Sequence, residues 1–100
     1  MNKLEQKMMQ AVKNKTAFKQ TNTEVKHCNG NTYIKLYNTY IYVELNGVKY
    51  YSDGGWATRT TASRLRALGA KYSINPAKRE VELVSQSTMR FFVNENFKSL

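Results

Sequence analysis

Thr23-Glu24-Val25-Lys26-His27-Cys28-Asn29-Gly30-Asn31-Thr32-Tyr33-Ile34-Lys35-Leu36-Tyr37-Asn38-Thr39-Tyr40-Ile41-Tyr42-Val43-Glu44-Leu45-Asn46-Gly47-Val48-Lys49-Tyr50-Tyr51-Ser52 is the stretch that decides the fold. Its hydrophobic period is two, and it is rich in the Val, Ile, Tyr and Thr that suit a pleated surface. Strands are predicted over residues 23–28, 32–37, 40–45 and 48–52. Asn29-Gly30-Asn31, Asn38-Thr39 and Asn46-Gly47 fall between them. Asn-Gly is a strong hairpin signal because a type I′ turn needs positive φ at both central residues. Short strands joined by tight turns make an antiparallel meander.

Upstream, Leu4, Met8, Ala11, Val12 and Phe18 recur at the spacing of one helical face, which predicts a helix over residues 1–19. Downstream, Asp53-Gly54-Gly55 breaks the sheet. Thr60 or Thr61 then offers a cap for a helix over 60–69, with Ala62, Leu65 and Leu68 as its buried stripe and Gly69 at its end. Alternation returns over 71–74, 79–84 and 88–93, read as C-terminal strands within 70–93, and 94–100 reads as a loose tail. The expected architecture is α+β: an antiparallel meander of about seven short strands with an N-terminal helix and a second short helix on one side of a curved sheet. A chain of 100 residues and 11.6 kDa accommodates this as a single domain, 1–100.

Composition narrows the class further. The chain is 41% hydrophobic with one proline, too apolar for a disordered tail. It has no apolar run of the ~20 residues a membrane helix needs, so no membrane partner is expected. Its start, Met1-Asn2-Lys3-Leu4-Glu5-Gln6-Lys7, lacks the apolar segment of a secretory signal. Cys28 is the single cysteine and cannot close an internal disulfide, which fits a reducing cytoplasm. The net charge of +9 is spread along the chain: eight Lys face three Glu in the first half, and eight Lys and Arg face four acids in the second. Such a field attracts polyanions, and it attracts acidic proteins equally.

Splitting the strands by alternation places Val25, Ile34, Leu36, Ile41, Val43 and Leu45 on a core side. Lys26, Tyr33, Lys35, Tyr37, Tyr40, Tyr42 and Lys49 fall on the other, with Tyr51 depending on register. Tyrosines interleaved with lysines read as a recognition surface, the rings giving rigid contact area and the cations meeting phosphates or carboxylates. The plain alternatives are a ladder of cross-strand aromatic pairs that only stabilises the sheet, or a face covered by the C-terminal strands. The segment Asp53-Gly54-Gly55-Trp56 through Arg64 suggests an anion site, for which Arg59, Arg64 and Arg66 are the candidates. Rotation by 100° per residue sets Arg59 and Arg66 near one side and Arg64 elsewhere. The plain reading there is a glycine turn, a buried Trp56 and a capped helix.

Gly55-Trp56-Ala57-Thr58-Arg59-Thr60-Thr61-Ala62-Ser63-Arg64-Leu65-Arg66-Ala67-Leu68 resembles a pattern in small proteins of tailed bacteriophages, Gly-Trp-x-Thr-x-Thr-Thr-x-x-Arg-Leu-Asn-x-Leu. The segment Phe18-Lys19-Gln20-Thr21-Asn22-Thr23-Glu24-Val25 is similar to the one that precedes the sheet in those proteins, so the resemblance covers about residues 18 to 68. Arg66 stands where the pattern shows Asn, and Leu36-Tyr37-Asn38 where Leu-His-Gly is common. The resemblance implies a phage origin and an early or accessory role in the bacterial host cytoplasm. Phage proteins of this size are often inhibitors of host machinery, anti-CRISPR and other counter-defence factors among them.

Catalytic chemistry is not expected. A divalent-metal site needs converging carboxylates, and only Glu80 and Glu82 share a predicted strand face. His27 and Cys28 are adjacent, so on a strand they point to opposite faces and cannot ligate one metal. No cofactor or metal is expected. Two functional readings follow. In the first, a non-enzymatic phage protein binds and inhibits a host protein, or a ribonucleoprotein or DNA-bound complex, plausibly of the nucleic-acid-handling or anti-phage defence machinery. In the second, the Tyr/Lys sheet face binds nucleic acid directly. Oligomeric state is not encoded in any pattern found.

Overall fold

The computed structural model describes residues 1–98. The elements run α1 (Lys3–Asn14), β1 (Phe18–Gln20), β2 (Thr23–Cys28), β3 (Asn31–Leu36), β4 (Thr39–Leu45), β5 (Val48–Tyr51), α2 (Arg59–Ala67), a 3₁₀ turn at Pro76–Lys78, and α3 (Gln86–Asn96). The five strands form one antiparallel sheet in the order β1-β2-β3-β4-β5. The meander and the α+β class are therefore as the alternation predicted. Asn29-Gly30 and Asn46-Gly47 take positive φ at both positions, as tight hairpin turns require.

The ends of the chain differ from expectation. α1 opens with a reciprocal cap: the Glu5 N–H donates to Asn2 Oδ1 at 2.8 Å, and the Asn2 N–H donates to Glu5 Oε1 at 3.2 Å. It stops at Asn14 because Lys15 turns left-handed at φ 56°, so the predicted helix over 1–19 gives up its last turn. Phe18 then pairs with Val25 as an edge strand and still packs its ring on the core.

The C-terminal strands do not form. Residues 88–93 lie in α3, whose N-cap Ser85 accepts from the Thr88 N–H at 3.2 Å. Residues 71–74 and 79–84 are extended loop, with one isolated parallel bridge between Tyr51 and Leu83. Arg79 takes the place of a strand partner here. Its Nε donates to the Ser73 carbonyl at 2.7 Å, its guanidinium lies 4.5 Å over the Tyr72 ring, and it pairs with Asp53 at 3.5 Å. Of the tail over 94–100, residues 94–96 complete α3, and 99–100 lie outside the described residues.

Both faces of the sheet are covered. Met8 and Ala11 of α1 and Ala62 and Leu65 of α2 pack with Val25, Ile34, Leu36, Ile41 and Tyr42 on one face. Met89 and Val93 of α3, with Phe97 just beyond it, pack with Cys28, Tyr33 and Val43 on the other. The sheet is thus a middle layer between helices, and the expectation of helices on one side fails at α3.

Between Ile34 and Lys35 the β3–β4 register shifts: Ile34 faces Tyr42 and Lys35 faces Tyr40, leaving Ile41 as the extra residue. A bulge exchanges the faces of everything beyond it. Tyr42 thereby turns into the first core, and Val43 and Leu45 turn to the α3 side. One side chain repairs the strand where β5 has ended. Gln86 Oε1 accepts from the Tyr40 N–H at 2.8 Å, and its Nε2 donates to the Tyr40 carbonyl at 2.7 Å and to Ser52 Oγ at 2.9 Å.

Candidate functional site

The predicted Tyr/Lys platform is dispersed by the bulge and by α3. Lys26, Tyr33, Lys35 and Tyr40 share the α3 face, whereas Tyr42 and Lys49 lie on the opposite one. Tyr33 is 7% exposed, edge-on to Tyr40 at 5.3 Å and to Phe97 at 4.9 Å. Burial, then the nearby Glu24 and Tyr40, push its phenol up to about 12. Tyr42 is 2% exposed and donates to Glu44; burial and that carboxylate raise its phenol further still. Lys26 and Lys35 are half-buried, the Lys35 ammonium lying 5.5 Å over the Tyr40 ring, and Lys49 is exposed opposite Glu44. A continuous water-facing sheet of rings is therefore absent among the described residues.

The arginines separate as well. Arg64 is 5% exposed, donates from Nη1 to Glu5 Oε2 at 2.8 Å and from Nε to Thr23 Oγ1 at 3.2 Å. It ties α2 to α1 and β2, and its removal would strand a buried carboxylate. Burial alone would raise the Glu5 carboxyl, but the hydrogen bonds from Ser63, Arg64 and the Asn2 backbone outweigh it and hold the group below its usual value. Arg66 is exposed, yet its Nε donates to the Tyr72 carbonyl at 3.0 Å. Arg59 alone of the three is exposed with no hydrogen bond or ion pair assigned to its side chain among the described residues. His27 and Cys28 do point apart: His27 bonds the Ala11 and Thr16 carbonyls under α1, and Cys28 joins the α3 core. No helix is long and apolar enough to cross a membrane, and no group of three His, Cys, Asp or Glu converges, among the described residues.

The geometry instead draws attention to two aromatics. Trp56, expected in the core, is 66% exposed, and Tyr37 is 70% exposed. They stand on the rim of one cleft of about 470 Å³, whose lining includes Leu36, Asn38, Thr39, Thr58 and Thr60. Tyr37 sits in the turn from β3 to β4 with φ 54°, a left-handed conformation that costs a bulky residue about 1–2 kcal/mol. Its N–H donates to the Asn22 carbonyl at 2.7 Å, which fixes the backbone that carries the exposed ring.

The facing wall is fixed equally firmly. Gly54 runs so close to Thr39 that a Cβ there would lie 2.5 Å from the threonine methyl, and its φ of +63° also suits glycine. The Trp56 N–H donates back to the Asp53 carbonyl at 2.9 Å. α2 is capped by Thr58, whose Oγ1 accepts from the Thr61 N–H at 3.1 Å, two or three residues before the Thr60 or Thr61 cap predicted from sequence. A second hollow of about 250 Å³ adjoins through Tyr37 and Asn38 and is bordered by Lys19 and Lys35.

Over residues 1–99 the chain matches the model of the Kyanoviridae Gp96 protein. It belongs to that phage protein family. No curated protein and no solved structure matches it. The phage origin implied by the Gly55–Leu68 resemblance is thus carried by nearly the whole chain. As a Gp96-family protein it owes its cleft to the segment that suggested the resemblance, since Trp56, Thr58 and Thr60 all lie within it. What sequence reading missed is that the tryptophan of this segment faces water. The flanking Gly54-Gly55 was the available signal, because two consecutive glycines, both at positive φ, turn the chain between β5 and α2.

Proposed function

We propose that this Gp96-family protein is a non-enzymatic phage accessory protein that binds, and by binding inhibits, a host factor, a component of the nucleic-acid-handling or anti-phage defence machinery of the bacterial cytoplasm. One observation carries the reading: the exposed rings of Tyr37 and Trp56 flank the same cleft, and one of them is held there at a conformational cost. Most other tyrosines are spent in packing. Tryptophan and tyrosine are the residues that dominate binding energy when a partner desolvates them. Of the residues singled out from sequence, Tyr37 lines this cleft, Lys35 borders the adjoining hollow, and Arg59 is exposed in the chain between the lining residues Thr58 and Thr60. Direct reading of bases by a sheet of rings loses its support, since Tyr33 and Tyr42 are buried.

Tagged wild-type protein and a Tyr37→Ala/Trp56→Ala variant, both produced in the host bacterium and recovered with their bound proteins, test this. A host protein retained by the wild type and lost by the equally folded double variant is the expected result. Equal retention by both, or no host protein above background, would overturn it.

A further inference from the structure

We propose that the Tyr37–Trp56 cleft takes an acidic peptide segment, one apolar side chain entering between the rings and carboxylates on either side meeting Arg59, Lys35 and Lys19. The inference rests on the reading of this cleft as the docking site for a host protein and specifies the chemistry of that partner.

Shape supplies the anchor. The buried side chain of Leu36 contributes apolar surface to the cleft between the two exposed rings, while Asn38, Thr58 and Thr60 provide polar groups at its lip. An apolar side chain can lose its water there, and the hydroxyls and amide can meet the backbone of an extended segment. The adjoining hollow shares Tyr37 and Asn38, so the surface continues toward Lys19 and Lys35 as a groove longer than one side chain.

Charge supplies the flanks. Four carboxylates are paired with cations of the chain itself: Glu5 with Arg64, Asp53 with Arg79, Glu80 with Lys71 and Glu95 with Lys98. Glu44 accepts the Tyr42 hydroxyl. Lys19, Lys35 and Arg59 engage no carboxylate within 4.0 Å among the described residues, and the first turn of α2 contains no acid. Glu24, opposite Lys35 and beside Lys19, offsets only part of this charge. An apolar cleft that adjoins a hollow bordered by Lys19 and Lys35, with exposed Arg59 between its lining residues Thr58 and Thr60, complements a segment with an apolar anchor and acidic flanks. A single strand of nucleic acid fits less well, because successive bases need successive stacking surfaces and the rings that would extend the platform are buried.

Trp56 is the only tryptophan, so its emission reports directly on the cleft. The probe is the peptide Glu-Glu-Asp-Phe-Asp-Glu-Glu, compared with its Gln/Asn analogue, its Gly-for-Phe analogue and oligothymidylate. A saturable change in Trp56 emission with the acidic peptide is expected, weakened about tenfold or more by either peptide replacement and reduced by added salt. Anisotropy of the labelled peptide should show a similar loss for Arg59→Glu, a variant whose exposed position leaves folding intact. Equal binding of the neutral peptide, tighter binding of oligothymidylate, or no saturation up to about 1 mM would each overturn the proposal. If the acidic peptide fails while the host protein is still captured through Tyr37 and Trp56, only the partner chemistry is wrong. If capture fails too, the docking reading falls with it.

Discussion

Tyr37 holds two opposed roles in one residue. As a turn residue at φ 54° it is a poor choice, because its Cβ crowds the backbone where glycine or asparagine would not. As a surface residue it buries little, with 70% of its area in water. Neither observation explains it as a stabilising group, which is why strain here points toward binding. Tyr37→Gly should relieve the left-handed strain and offset most of the entropy glycine brings to the unfolded chain. Its urea midpoint should therefore match or exceed the wild type, by up to about 1 kcal/mol in stability, while capture of the host partner drops. A loss of more than about 1 kcal/mol would make Tyr37 a structural residue and remove the argument from strain.

At the scale of elements, alternation was reliable wherever a tight turn fixed the register and failed where something else supplied the hydrogen bonds. β2 to β5 were legible because Asn-Gly turns and Val/Ile periodicity agree. The bulge at Ile41 was not, since a run of apolar residues such as Tyr40-Ile41-Tyr42-Val43 reads the same with either face inward. α3 was misread because Thr88, Phe91, Phe92 and Val93 favour strands, although Met89, Val93 and Phe97 repeat at helical spacing behind the Ser85 cap. Arg64 looked like a ligand site because its buried partner Glu5 lies far away in sequence. The cleft itself was only half visible, as Tyr37 without Trp56. Gln86 shows how such elements are joined, for it binds both backbone groups of Tyr40 where β5 no longer reaches. Gln86→Leu should strand a donor and an acceptor and cost roughly 2–4 kcal/mol, with faster hydrogen exchange at the Tyr40 amide. A change below about 0.5 kcal/mol would mean that water replaces the side chain freely and that α3 is not pinned at this point.

For the molecule as a whole, the three-layer arrangement is what turns tyrosines from a surface into a core, and pH reads that directly. A phenol whose folded-state pKa is raised keeps its proton where the unfolded chain would release it. Its stabilising share is complete below the unfolded value of about 10 and disappears as pH climbs through the folded value. Tyr33, pushed up to about 12 mainly by burial, carries such a linkage, and Tyr42 and Tyr51 are raised in the same sense. Loss of lysine charge over the same interval acts the other way, by easing the self-repulsion of a chain with net charge +9. That relief is spread over exposed, mutually screened groups and is smaller than the cost of ionising a buried ring. Stability should accordingly hold from pH 7 to about 9 and fall steeply between about 10 and 12, with buried tyrosinate absorbance appearing together with loss of circular dichroism. Tyr33→Phe should flatten that fall while leaving Trp56 emission at neutral pH unchanged. If every tyrosine ionises near pH 10 with the secondary structure intact, water already reaches the rings, α3 does not seal its face, and the sheet would again be available as a binding platform.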